Sequence, residues 1–292
     1  MCRRFLQLFA ALAVWIAPAS AQPALWSISD EDTVVHLFGT VHTLPSDLDW
    51  RTDSIDAAFD AADTFCVETD IVGRFGDVLR VTLREGLFAG DERLSHHLTR
   101  DQQARLAAFA AELDVLYHGL DVQKPWNVMM TLSQALAKRS GFDSEAGVEM
   151  RLLPEATASG KAICEMESPS EHVTSISRLP LDVQIAALIH DAEAHDEVGV
   201  AVNAAVEELR TLVDNWAAGD VAALDGGGPD SFGHPDFYDA LLTNRNQNWL
   251  PRIEALLDDP GVKFVAVGAA HLSGPDSVIE MLKERGHQVE GP

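Results

Sequence analysis

Leu37-Phe38-Gly39-Thr40-Val41-His42 is followed by Thr43-Leu44-Pro45-Ser46-Asp47, and near the other end of the chain Ala266-Val267-Gly268-Ala269-Ala270-His271 is followed by Leu272-Ser273-Gly274-Pro275-Asp276. Each stretch reads as a buried strand, then Gly-x-x-His, then a proline-containing turn into a helix. The glycine lets the backbone turn sharply at the strand end, so each histidine falls at the mouth of a sheet. Ligands of open α/β sheets bind there, beyond the carboxyl ends of the strands.

Two more strands end in carboxylates. Phe65-Cys66-Val67 delivers Glu68, and Ile163-Cys164-Glu165-Met166 delivers Glu167. If the four strands are parallel neighbours, His42, Glu68, Glu167 and His271 converge. Two imidazoles and two carboxylates suit Zn, Mn, Fe or Co. A water held there would be acidified, and a spare carboxylate would serve as general base. Glu165 competes with Glu167, and the strand-end position selects Glu167. Both glutamates also suit the start of a helix, where carboxylates are favoured.

Outward from these strands, Trp26-Ser27-Ile28 and Thr33–Phe38 read as a hairpin. Helices are expected over Ser46–Ala62, Gly76–Leu87, Arg100–Leu116, Trp126–Arg139, Gly147–Ser159, Pro180–Ala218 with a break near Gly199, Asp236–Leu257 and Asp276–Arg285. Strands alternate with helices at both ends, and the middle is helical. The expected fold is α/β: a central mixed sheet flanked by helices, with a helical insertion between the N- and C-terminal sheet segments. No linker divides the chain, so residues 22–292 read as one domain.

The chain has 292 residues, 47% of them hydrophobic, which excludes disorder as the main state. Its formal charge of −25 argues against nucleic acid and anionic membrane surfaces as partners. Residues 1–21 read as a signal peptide: Arg3 and Arg4, then apolar Phe5–Ile16, then Ala19-Ser20-Ala21 as a cleavage site. The expected location is the periplasm or outside the cell, with no stable membrane span after cleavage. Cys66 and Cys164 remain after cleavage. Export permits a disulfide between them, but two separate buried thiols are the favoured reading of the residues.

Other motifs carry less. His190–Glu197 is rich in ligand types but reads as a solvated helix face, and His96-His97 as a loop pair. The triple glycine at 226–228 lacks the Lys-Ser/Thr of a phosphate-binding loop. Neither His-Glu-x-x-His nor Gly-x-Ser-x-Gly occurs. Arg245 and Asn246 would suit a substrate carboxylate or an oxyanion, although residue physics alone reads Asn244–Trp249 as a surface helix anchored by Trp249.

The ordered set of motifs resembles the TraB/GumN family, which includes the Tiki proteases. It comprises Gly39–His42, Glu68, Gly141-Phe142-Asp143, Gly147-Val148-Glu149, Met166-Glu167-Ser168, Trp216 with Gly219-Asp220, Arg245-Asn246 with Trp249, Val267–Leu272 and Arg285-Gly286-His287. Glu149 stands where the family commonly has aspartate, and His172 where it often has glutamine. The resemblance implies a fold similar to erythromycin esterase and the haem-binding ChaN proteins. It also implies metal-dependent peptidase chemistry with Mn or Co. His42 and His271 would be metal or catalytic histidines, Glu68 their carboxylate partner, and Glu167, Arg245 and Asn246 site-lining residues.

The functional expectation is an exported metal-dependent hydrolase, peptidase-like, acting on a peptide or small-molecule substrate. The alternatives are a haem- or metal-binding periplasmic protein without turnover, and a metal-free esterase-like hydrolase with histidine as general base.

Overall fold

The computed structural model describes residues 22–224 and 228–292. The leader expected at 1–21 and most of the glycine loop lie outside that range. Six strands form one mixed sheet in the order β4-β3-β5-β2-β1-β6: β1 (Leu25–Ser29), β2 (Thr33–Thr40), β3 (Thr64–Val67), β4 (Ala162–Glu165), β5 (Gly261–Gly268) and β6 (Val289–Glu290). β4, β3, β5 and β2 are mutually parallel, while β1 runs antiparallel to its neighbours β2 and β6. β3 and the C-terminal halves of β2 and β5 are buried on both faces, as their apolar runs require, whereas edge strand β4 is only half-buried.

The helices are α1 (Asp53–Ala61), α2 (Phe75–Gly86), α3 (Arg100–Glu112), α4 (Tyr117–Leu120), α5 (Pro125–Arg139), α6 (Val148–Ala158), α7 (Pro169–Ser177), α8 (Leu181–Glu193), α9 (Val198–Ala218), α10 (Pro235–Tyr238), α11 (Asn244–Ala255) and α12 (Val278–Glu284). One core, around Phe38, Trp50, Trp216 and Phe264, covers one sheet face, and a second, around Trp249 and Ile253, covers the other. α3, α5, α8 and α9 come from the two long crossovers flanking β4 and enclose a core of their own around Leu106 and Val128. A single helical insertion was expected there; β4 divides these helices between two crossovers.

Two expectations need correction. The helix expected at Ser46–Ala62 begins only at Asp53, because Thr52 caps it by accepting from the amide of Ile55. The preceding segment instead pairs Leu44 with Asp143 and buries Trp50 against Phe38. The break expected near Gly199 is present just before it, between Glu193 and Val198. Cys66 and Cys164 are joined rather than separate. They sit directly opposite each other in the β3–β4 register, Cα atoms 4.4 Å apart. That spacing suits a disulfide.

Candidate functional site

Parallel pairing brings the four strand ends to one edge. Thr40 lies beside Gly268, and Val67 beside both Ala266 and Glu165. Pairing continues past the strand ends: Met166 N donates to Val67 O and Glu167 N to Glu68 O, at 2.8 and 2.9 Å. Glu167 is thereby fixed next to Glu68. Glu165 points elsewhere and accepts from Arg74 at 2.8 Å.

α11 supplies the cation. A π-helical turn, Asp239–Thr243, widens the backbone just before it, and Arg245 and Asn246 are buried rather than on a surface face. Arg245 Nη2 donates to Glu68 Oε2 and to Glu167 Oε1, both at 2.6 Å. Its Nε donates to Glu167 Oε1 at 3.1 Å, and Nη1 to Leu241 O at 3.0 Å. Glu68 Oε1 accepts from Gly268 N at 2.7 Å. His172, on α7, places Nδ1 2.7 Å from Glu167 Oε1.

The two motif histidines are held alike but charged differently. His271 Nδ1 lies 2.6 Å from Asn246 Oδ1, and Asn246 Nδ2 donates to Asp276 O at 2.7 Å. Arg245 Nη1, a donor only, lies 3.1 Å from His271 Nε2. This network assigns the proton to Nδ1 and the lone pair to Nε2. Burial pushes the His271 pKa down to about 3, so the ring is neutral. His42 Nδ1 lies 3.1 Å from Glu149 Oε1, and its side chain is 61% exposed against 7% for Glu149. The adjoining Glu149 carboxylate raises the His42 pKa to about 9. Thr40 Oγ1 donates to the same Glu149 oxygen.

The carboxylates stay ionised. Burial works to raise Glu68, but the Arg245 guanidinium overcomes it and holds the carboxyl well below the ordinary range. Glu167 is lowered likewise, with His172 and Arg245 outweighing burial, and Glu149 by His42 and Thr40.

Gly268 forms the floor. A Cβ placed on it would lie 3.1 Å from Glu68 Oε1, 3.5 Å from His271 Cδ2 and 3.8 Å from His42 Nε2. Bare backbone thus leaves one small space faced by both motif histidines and a carboxylate. A second group of donor atoms, from Glu68, Glu167 and His172, lies within 4.8 Å of one another.

All six expected site residues therefore meet at one edge of the sheet. Glu149 and His172 were noted only as departures from a pattern, and Thr40 only as part of a motif. Glu149 carried a signal of its own: with Leu152, Leu153 and Ala156 it occupies the buried stripe of α6.

A family model described as the TraB/PrgY/gumN family matches residues 24–291. The chain is 25% identical over 248 residues to "Uncharacterized protein YbaP" of Escherichia coli K12, covering 85% of this chain and 87% of that one. An "Uncharacterized protein" of Treponema pallidum is 23% identical over 282 residues, covering 89% and 80%. No solved structure matches significantly.

Proposed function

The chain belongs to the TraB/PrgY/gumN family, and from that premise we propose that it is an exported metal-dependent hydrolase, peptidase-like, working at the edge formed by His42, Glu68, Glu167 and His271. The observation that carries this reading is the anchoring of both motif histidines through Nδ1, on Glu149 and Asn246, while their rings converge with Glu68 over Gly268. Proteins fix ligating histidines by such partners on the second ring nitrogen. His42, Glu68, Glu167 and His271 would hold the metal, with Mn or Co favoured by the family resemblance and Zn or Fe also suited to the donors. Once bound, the ion would supply Lewis acidity and lower the pKa of a coordinated water.

The chain's own groups have distinct tasks. Arg245 neutralises the two buried carboxylates and commits its N–H donors to them, to Leu241 O and to His271 Nε2, which locks the site's charges in place. Asn246 holds His271 in one tautomer. Glu149 orients exposed His42 and keeps it protonated at neutral pH, so that without a metal it can give a proton to a leaving group.

A second reading, a metal-free hydrolase, is favoured by Arg245 itself. Its Nη2 already bridges Glu68 and Glu167, and its Nη1 meets the lone pair of His271.

Export is supported by the leader pattern at 1–21 and by the Cys66–Cys164 disulfide, which persists in oxidising compartments. Among the described residues no helix is long and apolar enough to cross a membrane. The test is a peptide-library and ester screen of residues 22–292, loaded in turn with Mn, Co, Zn and Fe. Cleavage lost on chelation and in His271→Ala supports the first reading. Cleavage that survives chelation moves the assignment to the second, and no cleavage with any metal removes both.

A further inference from the structure

α2 is apolar on two faces. Val81 packs inward against the core around Trp126 and Val173. On the outside, Ile71, Phe75, Leu79, Leu83 and Leu87 recur every four residues, and all are exposed, Phe75 by 64% and Leu83 by 52%. Over the helical part, Phe75–Gly86, that spacing makes one ridge along the helix. Large apolar side chains exposed singly need no explanation, but a contiguous stripe of them marks a surface built to be covered.

Charge and area decide what covers it. Residues 71–87 carry Arg74, Arg80 and Arg84 against Asp77 and Glu85, a local excess of cations in a chain of formal charge −25. Arg84, with Lys124 and Arg178 close by, holds the Glu85 carboxyl below its ordinary value. Arg80 pairs with Asp77 at 2.9 Å and Arg84 with Glu85 at 2.8 Å, both at the solvent surface. Such pairs are worth little, so both arginines are free to turn to another anion. A second copy is a poor fit. Laid antiparallel on itself about Leu79, the ridge would set Arg74 against Arg84 and one acidic body against another. A helix of 12 residues, about 18 Å by 10 Å, also falls far short of the ~800 Å² per partner that a stable protein interface buries. A bilayer sets no such requirement: the apolar ridge sinks to the acyl boundary while flanking arginines meet phosphates.

We propose that α2 docks the protein onto a phospholipid surface, with Phe75, Leu79 and Leu83 at the headgroup–acyl boundary and Arg80 and Arg84 on lipid phosphates. The net charge argues against an anionic surface for the molecule as a whole, and here it sets orientation. The acidic body is held away while the α2 face turns in. α2 packs against α7, which carries His172, and Arg74 pairs with Glu165 beside Glu167. The docked protein therefore holds this edge of the sheet toward the bilayer.

The test is flotation of residues 22–292 with phosphatidylethanolamine–phosphatidylglycerol vesicles, beside light scattering of the free protein. Flotation reads docking without turnover, so its outcome is separate from that of the hydrolase reading. The wild type should float. Phe75→Ser/Leu79→Ser/Leu83→Ser changes only exposed positions and should lose at least about tenfold in affinity. Arg80→Gln/Arg84→Gln should lose about tenfold. A second readout needs no loss-of-binding variant. Cys66 and Cys164 are joined, so a nitroxide attached to Leu79→Cys labels one site. On adding vesicles it should become shielded from a water-soluble nickel complex and open to oxygen. Four results would each overturn the proposal: no flotation of the wild type, undiminished binding of either variant, a nitroxide whose accessibility does not change, or a free dimer that the triple serine variant splits.

Discussion

His42 and His271 carry the same motif and opposite charge states, and the difference lies in one neighbour each. His271 faces an amide and a guanidinium in a buried space, so its neutral form wins. His42 faces the Glu149 carboxylate, so its charged form wins. Because the folded value, about 9, lies above the ordinary 6.5, the contribution of this pair to stability is complete below pH 6.5 and lost as pH rises toward 9. In metal-free protein, NMR titration of His42 should give a midpoint well above 6.5 that falls toward 6.5 in Glu149→Gln. An unchanged midpoint would mean that Glu149 is not the cause.

Arg245 acts in the opposite sense on Glu68 and Glu167. Their contribution is present above the ordinary carboxyl value of 4.5 and is lost as pH falls below it. Arg245→Met strands two buried carboxylates and should cost about 3–5 kcal/mol, read as a lower denaturant midpoint at pH 7. A loss under about 1 kcal/mol would show that water already reaches the pair.

At the scale of elements, the strand ends were legible and much of what surrounds them was not. A buried strand followed by Gly-x-x-His leaves a strong local pattern, and parallel pairing does the rest. Arg245 and Asn246 were reached through the family resemblance, because polar residues on an amphipathic helix otherwise read as its wet face. The stripe Arg245, Asn246, Trp249 and Ile253 is the buried one. α7 also passed unread, although Ser168 and Glu171 form a capping box with Pro169 at the first helical position. The Gly141–Glu149 block has a physical reason. Val148 N donates to Val41 O, and a Cβ on Gly147 would lie 2.1 Å from the carbonyl oxygen of His42. Gly147→Ala must therefore displace the His42 loop. A loss of about 1–3 kcal/mol is expected, together with an altered His42 resonance. A wild-type spectrum would refute that coupling.

Across the whole molecule, the disulfide joins the two strands that deliver Glu68 and Glu167, and closes a loop over a sequence separation of 98. Cys66→Ala/Cys164→Ala should lose about 4 kcal/mol, measured by urea unfolding against wild type without reductant. The same loss should appear on reducing the wild type, and a reductant-insensitive wild type would contradict the linkage. The crossover helices enclose a core of their own, and none of the site residues belongs to it. The central claim is that this edge is one metal centre. It is tested most directly by elemental analysis of residues 22–292 after loading with Mn, Co, Zn and Fe, comparing wild type with His42→Ala/His271→Ala. The account predicts stoichiometric metal in the wild type and its loss in the double variant. Equal metal in both proteins, or none in either, would contradict it.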